Sequence, residues 1–218
     1  MKMSITTTAI IAALLIVSPF VLRGNELITN PGPGLWGVSA GNNTLGYDFT
    51  IGSSSVIATG LGLWDANGDG FVNSHSIGLW SMSGDLLASV TVPSGTATEL
   101  ANQFEFVSLS TPVNLLAGQS YVLGASFLND DGDYFIVNFG GNQAGFDSAI
   151  VPGDIRYIQD GGFTFPSSDD VFGSEIGPNV EFTVVPEPSS ALLMLVFSAA
   201  ILLARLVGRV TRRKVKIL

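Results

Sequence analysis

The chain has 218 residues and a formal net charge of −9, with no cysteine and a single histidine. Without cysteine it forms neither disulfides nor a thiolate zinc site, and one histidine excludes a histidine-rich metal centre. All eighteen acidic residues lie between Glu26 and Glu187, and Arg156 is the one cation in residues 25–190, which therefore carry −17. A domain this acidic repels nucleic acid, so we exclude nucleic acid as a partner.

The chain begins with the features of a secretory signal peptide. Met1–Lys2 precedes an apolar run at Ala9–Val17, which continues to Leu22. A short positive start followed by an apolar stretch predicts export, with residues 1–24 as the signal peptide. An uncleaved N-terminal anchor is the alternative, and both place the following domain outside the cytoplasm.

Short runs of strand character fill residues 25–184. Leu45, Tyr47, Phe49 and Ile51 alternate with small or polar residues, which is the period of a strand buried on one face. Further runs, separated by turn-forming residues, are Val56–Trp64, Ile77–Ser81, Leu86–Val92, Phe104–Leu109, Val113–Leu115, Tyr121–Leu128, Tyr134–Phe139, Ile155–Ile158 and Val180–Val185. Many short strands at this spacing predict one all-β domain, an antiparallel β-sandwich or jelly roll.

A calcium-loop motif follows the second of these runs, at Asp65–Asn73. It matches the first half of the pattern D-x-[DN]-x-[DN]-G, which presents oxygens at alternate positions and a glycine for the sharp turn. The predicted Ca²⁺ ligands are Asp65, Asn67, Asp69, the backbone carbonyl of Phe71, and Asn73. Ser76 stands where an EF-hand needs a bidentate glutamate, and the flanks are strand-like, so the loop is not an EF-hand.

A second acidic cluster, Asn129–Asp133, falls on a predicted turn between strands. Asp131 and Asp133 either complete the first site or form one of their own. The alternative for both clusters is a polar turn that uses Asp, Asn and Gly for their backbone conformations. Calcium binding is therefore a hypothesis.

The sequence favours a protein that is not an enzyme. His75 is the single histidine, no G-x-S-x-G element accompanies it, and we expect it to be structural. A secreted hydrolase that uses two carboxylates is the alternative, but the sequence does not single out a pair.

The last thirty residues combine a short motif, an apolar segment and a basic end. Pro186, Glu187 and Pro188 precede the uncharged stretch Ala191–Ala204, and the basic cluster comprises Arg205, Arg209, Arg212 and Arg213. This order predicts a transmembrane helix at about residues 191–208, with residues 209–218 as a basic cytoplasmic tail. A buried core helix with a solvated basic end is the alternative.

This tail, over residues 185–213, resembles the PEP-CTERM sorting signal of Gram-negative bacteria, which is also known as an ice-binding-protein C-terminal domain. The resemblance implies export across the inner membrane as a membrane-anchored precursor. It also implies processing at Pro186–Pro188 by an exosortase-type membrane transpeptidase, and a link to exopolysaccharide or biofilm.

Residues 74–127 are similar to uncharacterised extracellular bacterial β-sandwich domains, whose folds are like those of carbohydrate-binding modules. The similarity is carried by His75–Trp80, Ser83–Ala88, Phe106–Val107, Thr111–Val113 and Leu116–Tyr121. Together the two resemblances predict a structural or adhesive protein of the cell surface or extracellular matrix. A dedicated carbohydrate- or ice-binding module is the alternative.

Overall fold

The computed structural model describes residues 24–32, 35–95, 100–130, 132–138, 144–170, 174–186 and 197–198. Within these residues the elements are fifteen strands: β1 (Asn25–Glu26), β2 (Ile28–Asn30), β3 (Leu35–Gly37), β4 (Asn43–Ile51), β5 (Val56–Trp64), β6 (His75–Ser81), β7 (Leu86–Val92), β8 (Phe104–Leu115), β9 (Ser120–Phe127), β10 (Phe135–Asn138), β11 (Gly145–Phe146), β12 (Ile150–Ile158), β13 (Ser168–Asp170), β14 (Ser174–Ile176) and β15 (Pro178–Val184).

The strands form two larger and two smaller sheets in which neighbouring strands are antiparallel. The larger sheets have the orders β13-β12-β4-β9-β6-β7 and β1-β15-β5-β8, and the smaller ones β14-β10-β3 and β11-β2. The prediction of an all-β, antiparallel domain is confirmed, and the arrangement is sandwich-like.

The alternating pattern of β4 shows why these sheets form. Leu45, Tyr47, Phe49 and Ile51 are each no more than 5% exposed and share one face of the strand. That face meets residues from the four-stranded sheet, including Phe182 of β15, in a single apolar core. Burial of each such side chain stabilises the fold by about 1.5–3 kcal/mol, so the pattern fixes which face points inward.

A row of glycines crosses the opposite, outer face of the six-stranded sheet. Gly46 of β4 pairs with Gly124 of β9, which pairs with Gly78 of β6. The Trp80 ring lies over Gly78, where a Cβ atom would be 2.3 Å from it, and contacts Phe163 and Phe165. Trp80 is thus buried on the outer face, beneath the segment before β13.

The one cation among the described residues stabilises an irregularity in β12. The register between β12 and β4 shifts between Pro152 and Ile155. Asp48 of β4 accepts a hydrogen bond from the Asp154 backbone N–H at 3.0 Å and forms an ion pair with Arg156 at 2.6 Å. The side chain of Arg156 is therefore held by Asp48 at this bulge.

The predicted terminal segments lie almost entirely outside the described residues. Of the signal peptide only Gly24 is described, and of the transmembrane segment only Phe197 and Ser198, which are helical. In the described part of the chain, no helix reaches the length and apolar character needed to cross a bilayer. Both segments stay predictions.

Candidate calcium-binding site

The predicted calcium loop connects β5 of the four-stranded sheet to β6 of the six-stranded sheet. Asp65 follows directly on Trp64, the last residue of β5, and is 3% exposed. Its Oδ1 accepts a hydrogen bond from Gly68 N and its Oδ2 one from Gly70 N, both at 3.0 Å. Gly68 and Gly70 have φ angles of 69° and 95°, which glycine adopts without steric cost. Asp65 thereby fixes the turn of the loop.

Asp133, 5% exposed, joins this loop to the segment between β9 and β10. Its Oδ1 accepts a hydrogen bond from Val72 N at 2.9 Å, and its Oδ2 accepts one from Asn73 N at 3.1 Å. The same Oδ2 lies 2.8 Å from Nε2 of His75. One carboxylate therefore contacts two backbone N–H groups and an imidazole of the facing segment.

His75 is fully buried at the start of β6, between the rings of Phe71 and Phe127, whose centroids lie 5.3 and 5.2 Å away. Its Nδ1 lies 2.7 Å from the Ser126 carbonyl oxygen. Because that carbonyl can only accept, Nδ1 is the donor, and the Nε2–Asp133 contact then holds a proton between the two groups. Both ring nitrogens are therefore engaged within the fold, and the structural role of His75 stays a prediction.

A cavity of about 300 Å³ opens between the two acidic segments. Five of the seven predicted ligands line it: Asp65, Asn67, Asp69, Phe71 and Asp133. Asn73 is absent from the lining and donates its backbone N–H to Asp133 instead, while Asp131 lies outside the described residues. Most of the predicted set is therefore brought to one place.

The chemistry of the cavity suits a hard cation, but its carboxylates are already partly engaged. Carboxylate and amide oxygens are the ligands that Ca²⁺ takes, six to eight at a time. Asp65 and Asp133 each use oxygens on backbone N–H groups. No group of three or more His, Cys, Asp or Glu side chains within the described residues is arranged to hold an ion.

A residue missed by the sequence analysis, Glu105 of β8, lies beside this loop. Its Oε2 is buried and makes no hydrogen bond to the described residues. Burial raises the pKa of the Glu105 carboxyl, and the nearby charge of Asp65 raises it further. The sequence does hold a sign of this residue, because Glu105 is the one acidic residue in the otherwise uncharged run Phe104–Leu109. Strand alternation places its side chain on the same face of β8 as that of Val107.

The part of the chain that contains this cavity is similar to a known protein family. No curated protein matches the chain. A family model described as a domain of unknown function, DUF4082, matches residues 34–170, which include β3 through β13 and the three acidic residues of the cavity. The match stops before the tail. Because it covers more than half of the chain, the protein belongs to the DUF4082 family.

Proposed function

We propose that the protein is an exported structural or adhesive component of the cell surface or extracellular matrix, delivered by its PEP-CTERM-like tail. The supporting observation is that the motif directly follows β15, the last strand of the described residues. β15 ends at Val184, the Val185 N–H still bonds to the Ser55 carbonyl at 2.9 Å, and Pro186 is exposed. The sorting motif thus begins as the chain leaves the sheet.

This position suits a segment that a membrane transpeptidase must bind in extended form. Residues within a sheet have their N–H and C=O groups paired, so cleavage there would require unfolding. Proline lacks an N–H and restricts the residue before it to extended conformations, so the sequence Pro186-Glu187-Pro188 favours the extended form that a bound substrate needs. Processing would leave the domain intact.

The test is the intact mass and location of the protein in its host. Mature protein that lacks the segment after Pro186–Pro188, found outside the cell or linked to its surface, is the expected result. Simultaneous substitution of Pro186, Glu187 and Pro188 by alanine should leave the tail attached. The paired control Ser189→Ala with Ser190→Ala should not. A wild-type chain that keeps its full tail in the inner membrane would contradict the proposal.

We propose calcium as a ligand of the exported domain, because the fold brings Asp65, Asp69 and Asp133 to one cavity. A ligand that binds the folded state alone stabilises it by mass action, by about 2.7 kcal/mol at 100 times its Kd. Millimolar Ca²⁺ is therefore expected to raise the Tm of the full chain in detergent.

The Asp69→Asn variant provides the comparison, because Asp69 is exposed on the loop and its loss should reduce the calcium-dependent rise in Tm. Asp85→Asn, an exposed acid on the β6–β7 turn, serves as the charge-matched control. Equal Tm values with and without Ca²⁺ in wild type and Asp69→Asn alike would refute calcium binding. A rise that Mg²⁺ reproduces, equal in all three proteins, would show charge screening instead.

A further inference from the structure

A second and larger cavity lies on the outer face of the four-stranded sheet. It encloses about 680 Å³, and its lining includes Glu26, Leu100, Asn102, Phe104, Phe106 and Glu181. Glu181 stands between Val180 and Phe182, whose side chains are each 1% exposed in the core, so alternation places Glu181 on the opposite face. We call this cavity the outer cleft.

Two carboxylates of the outer cleft lie on the same face of the sheet, and no cation among the described residues pairs with either of them. Glu26 of β1 and Glu181 of β15 are directly paired in register, which places their side chains on the same face. Like charges in this arrangement destabilise a sheet. Arg156, the one cation among the described residues, is paired with Asp48 in the other sheet. Glu26 accepts a side-chain hydrogen bond from Asn102 and Glu181 accepts one from Thr59, so each carboxylate keeps acceptor capacity for a further donor.

The remaining lining residues supply an amide and an aromatic surface. Asn102 donates from Nδ2 to Glu26 Oε2 at 2.9 Å, which leaves its carbonyl as an acceptor. The ring of Phe106 lies over Gly62 of β5, where a Cβ atom would be 2.6 Å from the ring. Glycine at position 62 thus lets the ring lie against the strand while it lines the cleft.

We infer that the outer cleft binds a glycan that carries no acidic groups. Sugar hydroxyls and amino groups donate to carboxylates, while the C–H face of a pyranose packs against an aromatic ring. The net charge of −17 on residues 25–190 disfavours uronic-acid polymers by repulsion. This inference rests on the proposed export, because only an exported domain meets a polymer outside the cell.

The experiment measures glycan binding to the full chain in detergent by titration calorimetry. The probes are uncharged hexasaccharides of glucan, xylan, mannan and galactan, a chitosan hexamer, and an acidic oligoguluronate. At least one uncharged or amino-sugar probe is expected to bind, and the oligoguluronate is not. Glu181→Gln and Phe106→Leu should each weaken binding about tenfold, as expected for the loss of a hydrogen bond to a charged group or of ring contact.

The control is Asp160→Asn, which removes an exposed charge beside the six-stranded sheet and should leave the affinity unchanged. The Tm of each variant is measured in parallel, so that a loss of binding is compared only among folded proteins. No binding of any uncharged or amino-sugar probe at millimolar concentration would overturn the inference, as would equal affinity in wild type and both cleft variants. Export is tested separately by mass and location, so failure here leaves the proposed function standing.

Discussion

His75 Nε2 lies 2.8 Å from Asp133 Oδ2, and this contact holds together two segments that are 58 positions apart in the chain. The same carboxylate accepts the N–H groups of Val72 and Asn73. Since β5 and β6 belong to different sheets, the contact fixes the connection between the sheets where the acidic cavity opens. The cavity is thus shaped by a buried polar network.

Loss of the Asp133 carboxylate is expected to be among the most destabilising single changes in the domain. Asp133→Ala leaves a buried imidazole and two N–H groups without their acceptor, which costs about 3–5 kcal/mol. Denaturant unfolding of the full chain measures the loss. Hydrogen exchange at the Val72 and Asn73 amides should rise selectively, because those two amides lose their acceptor.

Asp154→Ala is the matched control for this change. Asp154 is exposed, and its substitution is expected to alter the free energy of unfolding by no more than about 0.5 kcal/mol. The Asp133→Ala protein could instead be as stable as this control, with unchanged hydrogen exchange at the Val72 and Asn73 amides. That result would show that the hydrogen bonds of Asp133 do not stabilise the domain.

How far the sequence predicts the fold can be judged strand by strand. Val56–Trp64 and Leu86–Val92 are found with the predicted bounds, because turn-forming residues flank each run on both sides. The predicted strands at Phe104–Leu109 and Val113–Leu115 are one strand, β8, whose pairing with β5 shifts register between Ala58 and Gly60. The polar residues between the two predicted strands mark this irregularity within β8, so the strand was predicted as two.

Other elements carry no usable local signal. Only Ile155–Ile158 of β12 was predicted, because Pro152 and Gly153 break the alternation at its bulge. Strands of two or three residues, such as β11 and β13, are too short to show a period. These elements form through pairing with neighbours that are distant in sequence.

The residues of the candidate site could be predicted from the sequence, but the contacts between them could not. Alternate oxygens and glycines identified the loop from Asp65, and acid content identified Asp133 as a possible partner. No local pattern indicates that Asp133 faces His75, or that Glu105 lies near Asp65, because strand topology creates both proximities. The sequence thus names side chains, whereas long-range pairing decides which of them meet.

Glu105 lowers the stability of the folded domain by an amount that depends on pH. Its raised pKa means that the folded state holds this proton more tightly than the unfolded state, for which the ordinary value is 4.5. The cost is therefore absent below the unfolded pKa, grows as the pH rises through the folded pKa, and is complete above it. We expect Glu105→Gln to gain stability relative to wild type as the pH increases from about that ordinary value to neutrality.

Denaturant unfolding of wild type and Glu105→Gln across this pH range measures the difference directly. Asp154→Asn removes one exposed carboxylate and reports the effect of net charge alone. If the two variants follow the same pH curve relative to wild type, the partial burial of the Glu105 carboxyl has no effect on the free energy of unfolding.

Gly46 tests the close contact of the strands in the centre of the six-stranded sheet. A Cβ atom at position 46 would lie 1.9 Å from the Leu123 carbonyl oxygen and 2.7 Å from Gly124 Cα. Both atoms belong to the backbone of β9, so the strand pair itself must move. We expect Gly46→Ala to destabilise the domain by about 3 kcal/mol, at the upper end of the cost of overpacking.

Gly60→Ala is the matched comparison, because Gly60 is also a strand glycine but its Cβ atom would lie 3.1 Å from the flexible Glu181 side chain and 3.3 Å from the Val107 carbonyl oxygen, much farther from backbone than at Gly46. The Glu181 side chain can move aside, the Val107 carbonyl needs to shift only slightly, and alanine restricts the unfolded chain more than glycine does, so the cost should be smaller than that of Gly46→Ala. Denaturant unfolding of both variants gives the comparison. A cost for Gly46→Ala no greater than that for Gly60→Ala would mean that β4 and β9 separate more easily than their register implies.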